Sequence, residues 1–210
     1  MKMATVSGSL DTPLIQKLVE SRRICVVLAG GQSRRMGQDK CLLRLKQNGA
    51  TLLEHTLKVA SQLRNCSVIL SGEARSEFQT AVPDLPQFQS LGPLGGVASV
   101  LKTFELNDKL VLVLPIDMPG LNSDILELLF GALDSNPDRD AVHFAPSVLP
   151  FGFRSSAAVT ESLLDLENST SIQHWLSHFD TLKLELRPEW SNALYNLNTP
   201  EEFIQFEAGL

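Results

Sequence analysis

Continuous apolar runs alternate along the chain with segments in which apolar residues recur every three or four positions. The runs Ile24 to Ala29 and Lys109 to Leu114 are typical of central strands that are covered on both faces. Shorter runs at Ser67 to Leu70, Ala141 to Ala145 and Leu182 to Leu186 predict further strands. Strand segments are therefore expected at intervals along most of the chain.

The segments between these runs carry helical periodicity and helix-capping residues. Thr51 and Glu54 predict a capping box ahead of the amphipathic segment Leu52 to Leu63, and Thr199 followed by Pro200 predicts the start of a final helix. Further helices are predicted at Gly92 to Phe104, Ser123 to Leu133, Ser156 to Leu166 and Ser171 to Phe179. Because strands that alternate with helices form mostly parallel sheets, we expect an α/β, Rossmann-like fold with one mostly parallel sheet flanked by helices.

The chain also carries a helical pattern ahead of its first predicted strand. Thr12 and Pro13 are typical of a helix start, and an apolar face follows from Leu14. No internal repeat or long linker divides the rest of the chain. We therefore expect an N-terminal helical extension over residues 1–23, which packs on a single domain over residues 24–210.

Composition and charge narrow the classes of partner. The 210 residues include 18 Lys and Arg against 24 Asp and Glu, a net charge of −6 that argues against nucleic acid or an anionic membrane as the main partner. The apolar runs are too short to span a bilayer, and the three cysteines form no C-x-x-C pair. We therefore expect a cytoplasmic protein that must capture any anionic substrate with local cations.

The first apolar run ends in a glycine-rich loop that concentrates positive charge. Residues 30–40 read Gly-Gly-Gln-Ser-Arg-Arg-Met-Gly-Gln-Asp-Lys. Glycines let backbone N–H groups approach phosphate oxygens, and Arg35 and Lys40 can neutralise a polyphosphate. The loop matches neither the P-loop pattern nor the dinucleotide fingerprint. A polyphosphate site is the favoured interpretation, and a glycine turn with solvated arginines is the alternative.

A second loop with candidate chemistry follows the run that ends at Leu114. Residues 115–119 read Pro-Ile-Asp-Met-Pro, and the Asp117 carboxylate is the kind of oxygen ligand that Mg²⁺ prefers. The alternative is an aspartate that caps or turns into the next helix. Ligands of open α/β sheets bind beyond the carboxyl ends of the strands, where both loops are expected.

Four segments together resemble the signature of the molybdenum cofactor guanylyltransferases, which are MobA-like nucleotidyltransferases. In chain order they are Leu28-Ala29-Gly30-Gly31-x-Ser33-x-Arg35-Met36-Gly37-x-Asp39-Lys40, Gly92-Pro93-Leu94-x-Gly96, Pro115-x-Asp117-Met118-Pro119 and Asn196-x-Asn198-Thr199-Pro200-Glu201-Glu202. The resemblance implies an enzyme that transfers GMP from GTP to molybdenum-molybdopterin and releases pyrophosphate, with Mg²⁺ as cofactor. It also implies delivery of the product, molybdopterin guanine dinucleotide, to cofactor-delivery proteins and molybdoenzymes.

The same resemblance implies a role for individual residues. Arg35, Lys40 and Asp117 would be catalytic, with Asp117 as the metal ligand, and Asn196 and Asn198 would lie beside the acceptor. The nucleotide would contact Leu28, Ala29, Gly30, Gly31, Lys40, Ser71, Asp84 and Asp117. Two of these assignments have an alternative in the residues themselves: Pro83-Asp84 also favours a surface turn, and an asparagine before Thr199 also favours a helix cap.

Other activities stay open at this point. One alternative is a molybdopterin cytidylyltransferase or another sugar- or alcohol-phosphate nucleotidyltransferase, although Gly31 stands where cytosine-specific relatives tend to carry alanine. Another is a nucleotide-binding module without catalysis, because the stretch Val148 to Arg154 departs from the family's acceptor-side pattern. His174 and His178 have a helical spacing that suits Zn²⁺, but no third ligand is evident and a polar helix face is favoured.

Overall fold

The structure is a computed structural model that describes residues 16, 18, 20–30, 39–73, 81–89, 91–166 and 171–209. These residues contain the strands β1 (Arg23–Leu28), β2 (Cys66–Ser71), β3 (Ala81–Val82), β4 (Leu110–Pro115), β5 (Ala141–Ala145), β6 (Phe151–Arg154) and β7 (Thr181–Glu185). Their α-helices are α1 (Leu52–Ser61), α2 (Gly92–Phe104), α3 (Ser123–Ser135), α4 (Ala157–Leu164), α5 (Ile172–Leu176) and α6 (Pro200–Ala208). Short 3₁₀ helices span Lys40–Leu42, Pro86–Phe88 and Pro188–Leu194.

One sheet contains all of these strands, in the order β3-β2-β1-β4-β6-β5-β7. The central strand β1 pairs in parallel with β2 and β4, and β5 pairs in parallel with β7. Strand β6 is antiparallel to both of its neighbours, β4 and β5. The predicted α/β domain with a mostly parallel sheet is therefore confirmed.

Helices cover both faces of this sheet, as the continuous apolar runs predicted. Alternate residues of β1 point to opposite faces, so Cys25 and Val27 pack with α1 and α3, whereas Ile24 and Val26 pack with α2, α4 and α5. The predicted capping box of Thr51 and Glu54 is present at the start of α1. The two faces together bury almost all of the apolar side chains of β1 and β4.

Strand β6 was not among the strands that the sequence predicted. Phe151 and Phe153 are fully buried on the face of α5, where both rings pack against Trp175. Gly152 faces the other way, and a Cβ there would lie 3.1 Å from the Leu133 side chain of α3. The strand was missed because it is only four residues long and its glycine breaks the apolar run. The two-residue strand β3 is too short to produce a pattern.

The predicted N-terminal extension lies mostly outside the described residues. Residues 16, 18 and 20 are helical, and Leu18 is buried in the core shared by β1 and α2. Strand β1 begins at Arg23, one residue before the predicted start of the domain. Among the helices that the structure describes, none is long and apolar enough to cross a membrane.

Candidate active site

Three parallel strands end side by side and define one edge of the sheet. Leu28, the last residue of β1, pairs with Ser71 of β2 on one side and with Pro115 of β4 on the other. The loops that follow β1 and β4 therefore start next to each other. They lie at the edge where ligands of open α/β sheets bind.

Lys40, Asp117 and Asn198 form the polar centre of this edge. The Lys40 ammonium donates to Asp117 Oδ2 at 2.8 Å and to Asn198 Oδ1 at 3.0 Å. The side chains of Lys40 and Asp117 are only 15% and 18% exposed. Low exposure strengthens the attraction between opposite charges, because less water screens them. Three residues that the sequence singled out in separate segments thus converge on one point.

Local structure fixes the position of Lys40. Asp39 is the N-cap of the short 3₁₀ helix Lys40–Leu42, and its Oδ1 accepts a hydrogen bond from the Cys41 backbone N–H at 2.9 Å. The buried Cys41 thiol lies 3.5 Å from the Ala29 carbonyl oxygen, to which it donates. Cys41, the residue after Lys40, is therefore held against the end of β1.

The helix-cap alternatives for Asp117 and Asn198 are wrong. Asn122, not Asp117, caps α3 by accepting from the Ile125 N–H. Thr199 caps α6 and forms a capping box with Glu202. Only the backbone N–H of Asn198 takes part in this helix start, where it donates to Glu202 Oε2 at 2.6 Å. The side chains of both Asp117 and Asn198 therefore point towards Lys40 instead.

A second group of predicted residues surrounds Gly96 on α2. A Cβ at Gly96 would overlap the Ser71 hydroxyl and would lie 3.5 Å from both Asp84 Oδ1 and the Leu28 side chain. Glycine thus lets α2 approach the ends of β1 and β2 closely. Leu28, Ser71 and Asp84 come together at this point, at the edge of the sheet where β1 and β2 end.

Asp84 is half-buried rather than part of a solvated turn. Burial raises the pKa of its carboxyl group, and the negative charge of Glu73 raises it further. A carboxylate in this state is stabilised by new hydrogen-bond donors, because donors favour its charged form. The surface-turn alternative for Asp84 therefore fits the structure poorly.

The backbone at the end of β1 is packed against the end of β2. The Ala29 N–H donates to the Ser71 carbonyl at 2.9 Å. Gly72 has a φ of +139°, and a Cβ there would lie 3.0 Å from the Gly30 nitrogen. Gly72 must therefore remain glycine for Ala29 and Gly30 to keep their positions.

The remaining predicted residues are placed only in part. Gly31 and Arg35 lie outside the described residues. Asn196 is half-buried, and its side-chain oxygen is a buried acceptor with no hydrogen-bond partner in the described part of the chain. Because buried acceptors are normally paired, a donor or cation that reached this oxygen would satisfy it. It belongs to the residue two positions before Asn198.

One histidine at this edge carried no signal in the sequence. His55 of α1 lies with its Nε2 atom 3.0 Å from the Pro119 carbonyl oxygen, two residues beyond Asp117. Nothing in the spacing of His55 pointed to this contact, which depends on where α1 crosses the loop after β4.

The predicted pair His174 and His178 lies on α5 and just beyond it, away from this edge. Their rings meet edge to face, with centroids 4.8 Å apart. Within the described ranges, no three or more His, Cys, Asp or Glu side chains are grouped so that they could hold a metal ion. Both histidines are exposed, as a polar helix face requires.

Comparisons with known proteins point to one family. The MobA-like NTP transferase domain matches residues 25–183. The chain is 37% identical over 186 residues to the molybdenum cofactor guanylyltransferase of Xanthomonas euvesicatoria pv. vesicatoria (strain 85-10), a match covering 85% of this chain and 90% of the relative. It is 33% identical to a probable molybdenum cofactor guanylyltransferase of Nostoc sp. (strain PCC 7120), with 84% and 86% covered.

Solved structures share the fold. Molybdopterin-guanine dinucleotide biosynthesis protein A from Archaeoglobus fulgidus superposes with a TM-score of 0.69 at 21% identity, covering 88% of this chain and 97% of that one. Rv0371c from Mycobacterium tuberculosis H37Rv, solved in complex with manganese, superposes with a TM-score of 0.61 at 19% identity, covering 90% and 100%.

Proposed function

The chain belongs to the MobA-like NTP transferases and is a nucleotidyltransferase, and from this premise we propose that it transfers GMP from GTP to molybdenum-molybdopterin. The products would be molybdopterin guanine dinucleotide and pyrophosphate. The observation that carries the proposal is the cluster of Lys40, Asp117 and Asn198 beside the ends of β1 and β4. We propose the cytoplasm as the site of the reaction, and cofactor-delivery proteins and molybdoenzymes as recipients of the product.

The reaction joins two anions and releases a third. A terminal phosphate oxygen of molybdopterin attacks the α-phosphorus of GTP, and the bond from that phosphorus to the oxygen it shares with the β-phosphorus breaks. Such a transfer depends on holding the reactants in line and on neutralising the charge of the leaving pyrophosphate. Lys40 supplies a fixed positive charge, and we assign Arg35 of the same glycine-loop motif to the same task.

The two residues that contact Lys40, together with the nearby chain at Asn196, would fit a divalent cation. Asp117 offers a carboxylate, and Asn196 and Asn198 offer amide oxygens, all of them hard ligands of the kind that Mg²⁺ prefers. The described chain holds no cage of three acidic, His or Cys ligands, and Mg²⁺ is typically held by one or two carboxylates together with substrate phosphates. Bound there, the cation would stabilise charge that develops on the phosphate oxygens.

Asp84 supports guanine as the base. The pKa of its carboxyl group is raised by burial, so the ionised form gains from two donors that approach together. Guanine presents adjacent N1–H and N2–H donors, whereas cytosine presents one amino group beside an acceptor nitrogen. We therefore propose GTP as the nucleotide substrate, with Leu28, Ala29, Gly30, Gly31 and Ser71 completing the nucleotide site.

Calorimetric titration with GTP, CTP, ATP and UTP, each with and without Mg²⁺, tests the site and the choice of base. We expect selective binding of GTP that Mg²⁺ strengthens. A preference for CTP would instead favour the cytidylyltransferase alternative. Pyrophosphate release on addition of molybdenum-molybdopterin then tests catalysis, because a non-catalytic module would bind GTP without releasing pyrophosphate.

Asp117→Asn tests the proposed metal ligand with little change in shape. We expect transfer to fall by at least about a hundredfold, because a bound metal contributes several kcal/mol of charge stabilisation. A circular dichroism spectrum and thermal melt close to those of the unaltered protein would show that the fold is intact. Turnover close to that of the unaltered protein would remove the metal assignment.

A further inference from the structure

Three successive carbonyl groups in the loop after β4 accept hydrogen bonds. The Asp117 carbonyl accepts from the Leu197 N–H at 2.8 Å, and the Met118 carbonyl accepts from the Leu121 N–H at 3.1 Å. The Pro119 carbonyl accepts from His55 Nε2 at 3.0 Å. The first two bonds come from backbone, so His55 provides the side-chain contact in this series.

The next residue of the loop is also held closely. A Cβ at Gly120 would lie 2.9 Å from the Asn192 carbonyl oxygen and 3.0 Å from the Ala193 Cα. Proline at positions 115 and 119 fixes φ on either side of Asp117. A single residue, Met118, separates Asp117 from Pro119, and its carbonyl is itself hydrogen-bonded, so a displacement at Pro119 is passed on to Asp117.

His55 reaches this loop from a rigid part of α1. Its backbone N–H donates to the Thr51 carbonyl at 2.9 Å, in the helical turn that the capping box of Thr51 and Glu54 fixes. Leu52, at the start of the same helix, donates from its backbone to the Leu43 carbonyl at 2.8 Å. The helix that carries His55 is therefore tied to the short segment that carries Lys40.

The contact fixes the tautomer of the imidazole ring. A carbonyl oxygen only accepts, so Nε2 must carry a proton in this hydrogen bond. Burial lowers the pKa of His55, with a smaller lowering from Lys58, while the bond to Pro119 acts in the opposite direction. Nε2 carries its proton in both the neutral and the charged ring, so the bond persists in either form.

We propose that His55 is a positioning residue for nucleotidyl transfer, which holds Asp117 in place through the Pro119 carbonyl. This inference rests on the proposed role of Asp117 as a metal ligand. Groups beyond the direct ligands of a metal fix the orientation of those ligands, and their loss weakens metal binding by about 10- to 100-fold. His55 does not contact Asp117 itself. It acts on Asp117 through the backbone that joins the Pro119 carbonyl to Asp117.

His55 lies outside the buried face of α1. Leu52, Leu53, Val59 and Ala60 provide the buried face of the helix, whereas His55 is half-buried at its side. Replacing the ring should therefore affect the loop and the metal more than the fold.

Binding of Mn²⁺ in the presence of GTP, followed by electron paramagnetic resonance, tests the inference without depending on turnover. We expect His55→Leu to weaken Mn²⁺ binding by about tenfold. His55→Gln should restore affinity to within about threefold of the unaltered protein, because the glutamine amide can donate from a position near that of Nε2. His55→Asn should remain weak, since its amide is one carbon shorter.

A matched control separates positioning from general destabilisation. Ser156 caps α4, far from the loop, and Ser156→Ala should cost about 1 kcal/mol of stability while Mn²⁺ affinity stays unchanged. Unaltered affinity in His55→Leu would overturn the inference, as would equal losses in His55→Gln and His55→Leu. Failure of the unaltered protein to bind Mn²⁺ with GTP would instead contradict the proposed function itself.

Discussion

At the scale of single residues, the centre of the site is an ion pair between groups 77 residues apart in the chain. Lys40 binds Asp117 and Asn198 at once, and both charged side chains are largely buried. A buried charge that loses its partner is destabilising, so each of these residues constrains the other. The Lys40 ammonium would therefore compete with the proposed metal ion for the Asp117 carboxylate.

This competition predicts opposite effects of one substitution on metal and nucleotide. Lys40→Met removes the cation but keeps much of the side-chain volume. We expect Mn²⁺ alone to bind about tenfold more tightly, because Asp117 no longer has a competing partner, and GTP to bind about tenfold more weakly. Electron paramagnetic resonance measures the first effect and calorimetry the second. Weaker binding of Mn²⁺ alone would show that Lys40 supports the metal site rather than competing for it.

We expect replacement of Asp84 to raise stability but weaken GTP binding, and the gain in stability to depend on pH. The pKa of Asp84 in the folded protein is raised, mainly by burial. Folding therefore favours the protonated carboxyl group. Below the unfolded pKa of about 3.9 the group is protonated in both states and costs no stability, whereas above the folded pKa its ionisation costs the full amount. Asp84→Asn should raise the melting temperature at pH 7, and this gain should vanish as the pH falls to about 3.

The same substitution should weaken GTP binding, because an amide offers guanine one acceptor where the carboxylate offers two. Melting temperatures over a range of pH, together with calorimetry, check both halves of this prediction. A stability gain that is independent of pH would show that the charge of Asp84 is not its cause.

The sequence predicted Lys40, Asp117 and Asn198 because each belongs to a motif next to a predicted strand or helix start. It could not predict that Lys40 binds the other two, since their contact depends on the packing of three separate segments. His55 was missed for the same reason. Its partner is a backbone carbonyl, which every residue has, so the types of residue in the sequence could not predict the contact.

At the scale of elements, the approach of α2 to the sheet depends on residues without side chains. A Cβ at Gly95 would overlap the Phe88 carbonyl, and one at Gly96 would overlap the Ser71 hydroxyl. Leu94, Val97, Val100 and Leu101 of the same helix are buried in the core. Helix α2 is thus seated firmly, and its glycines set how closely it lies against the ends of β1 and β2.

Gly96→Ala should therefore disturb the proposed nucleotide site. We expect a stability loss of about 1–3 kcal/mol from overpacking, together with weaker GTP binding, as Ser71 and Asp84 shift. Gly131→Ala on α3 is the matched control, because a Cβ there meets nothing within 4 Å. That exposed substitution should instead stabilise the protein by about 0.5–1 kcal/mol. Denaturant unfolding and calorimetry measure the contrast, and equal stability of the two variants would contradict it.

Most elements were predictable from the sequence because their apolar patterns are long. The paired runs of β1 and β4 and the caps of α1 and α6 follow local rules of periodicity and hydrogen bonding. Strand β6 did not follow such a rule: its identity depends on its place between β4 and β5, and its glycine leaves space for α3. The hydrophobic pattern also could not predict the order of the strands in the sheet.

At the scale of the whole molecule, the polar centre connects regions that are distant along the chain. Lys40 precedes α1, Asp117 follows β4, and Asn198 precedes α6, while the Leu197 N–H bonds the Asp117 carbonyl. A ligand that binds these groups together would stabilise the native arrangement of all three segments. In a single domain that unfolds cooperatively, such local binding stabilises the whole fold.

Binding of GTP and Mg²⁺ should therefore raise the melting temperature of the whole protein, and in a way that depends on Asp117. A ligand at about 100 times its dissociation constant adds about 2.7 kcal/mol to the free energy of unfolding. We expect a smaller rise with GTP alone, and no additional rise from Mg²⁺ in Asp117→Asn, because that variant lacks the proposed metal ligand.

Ser156→Ala should melt earlier than the unaltered protein yet keep both increments, since its lost cap lies on α4. Differential scanning calorimetry of the three proteins checks these increments. An undiminished Mg²⁺ increment in Asp117→Asn would mean that the cation binds GTP without contacting this carboxylate, and the metal assignment would then fail while the nucleotide site remained.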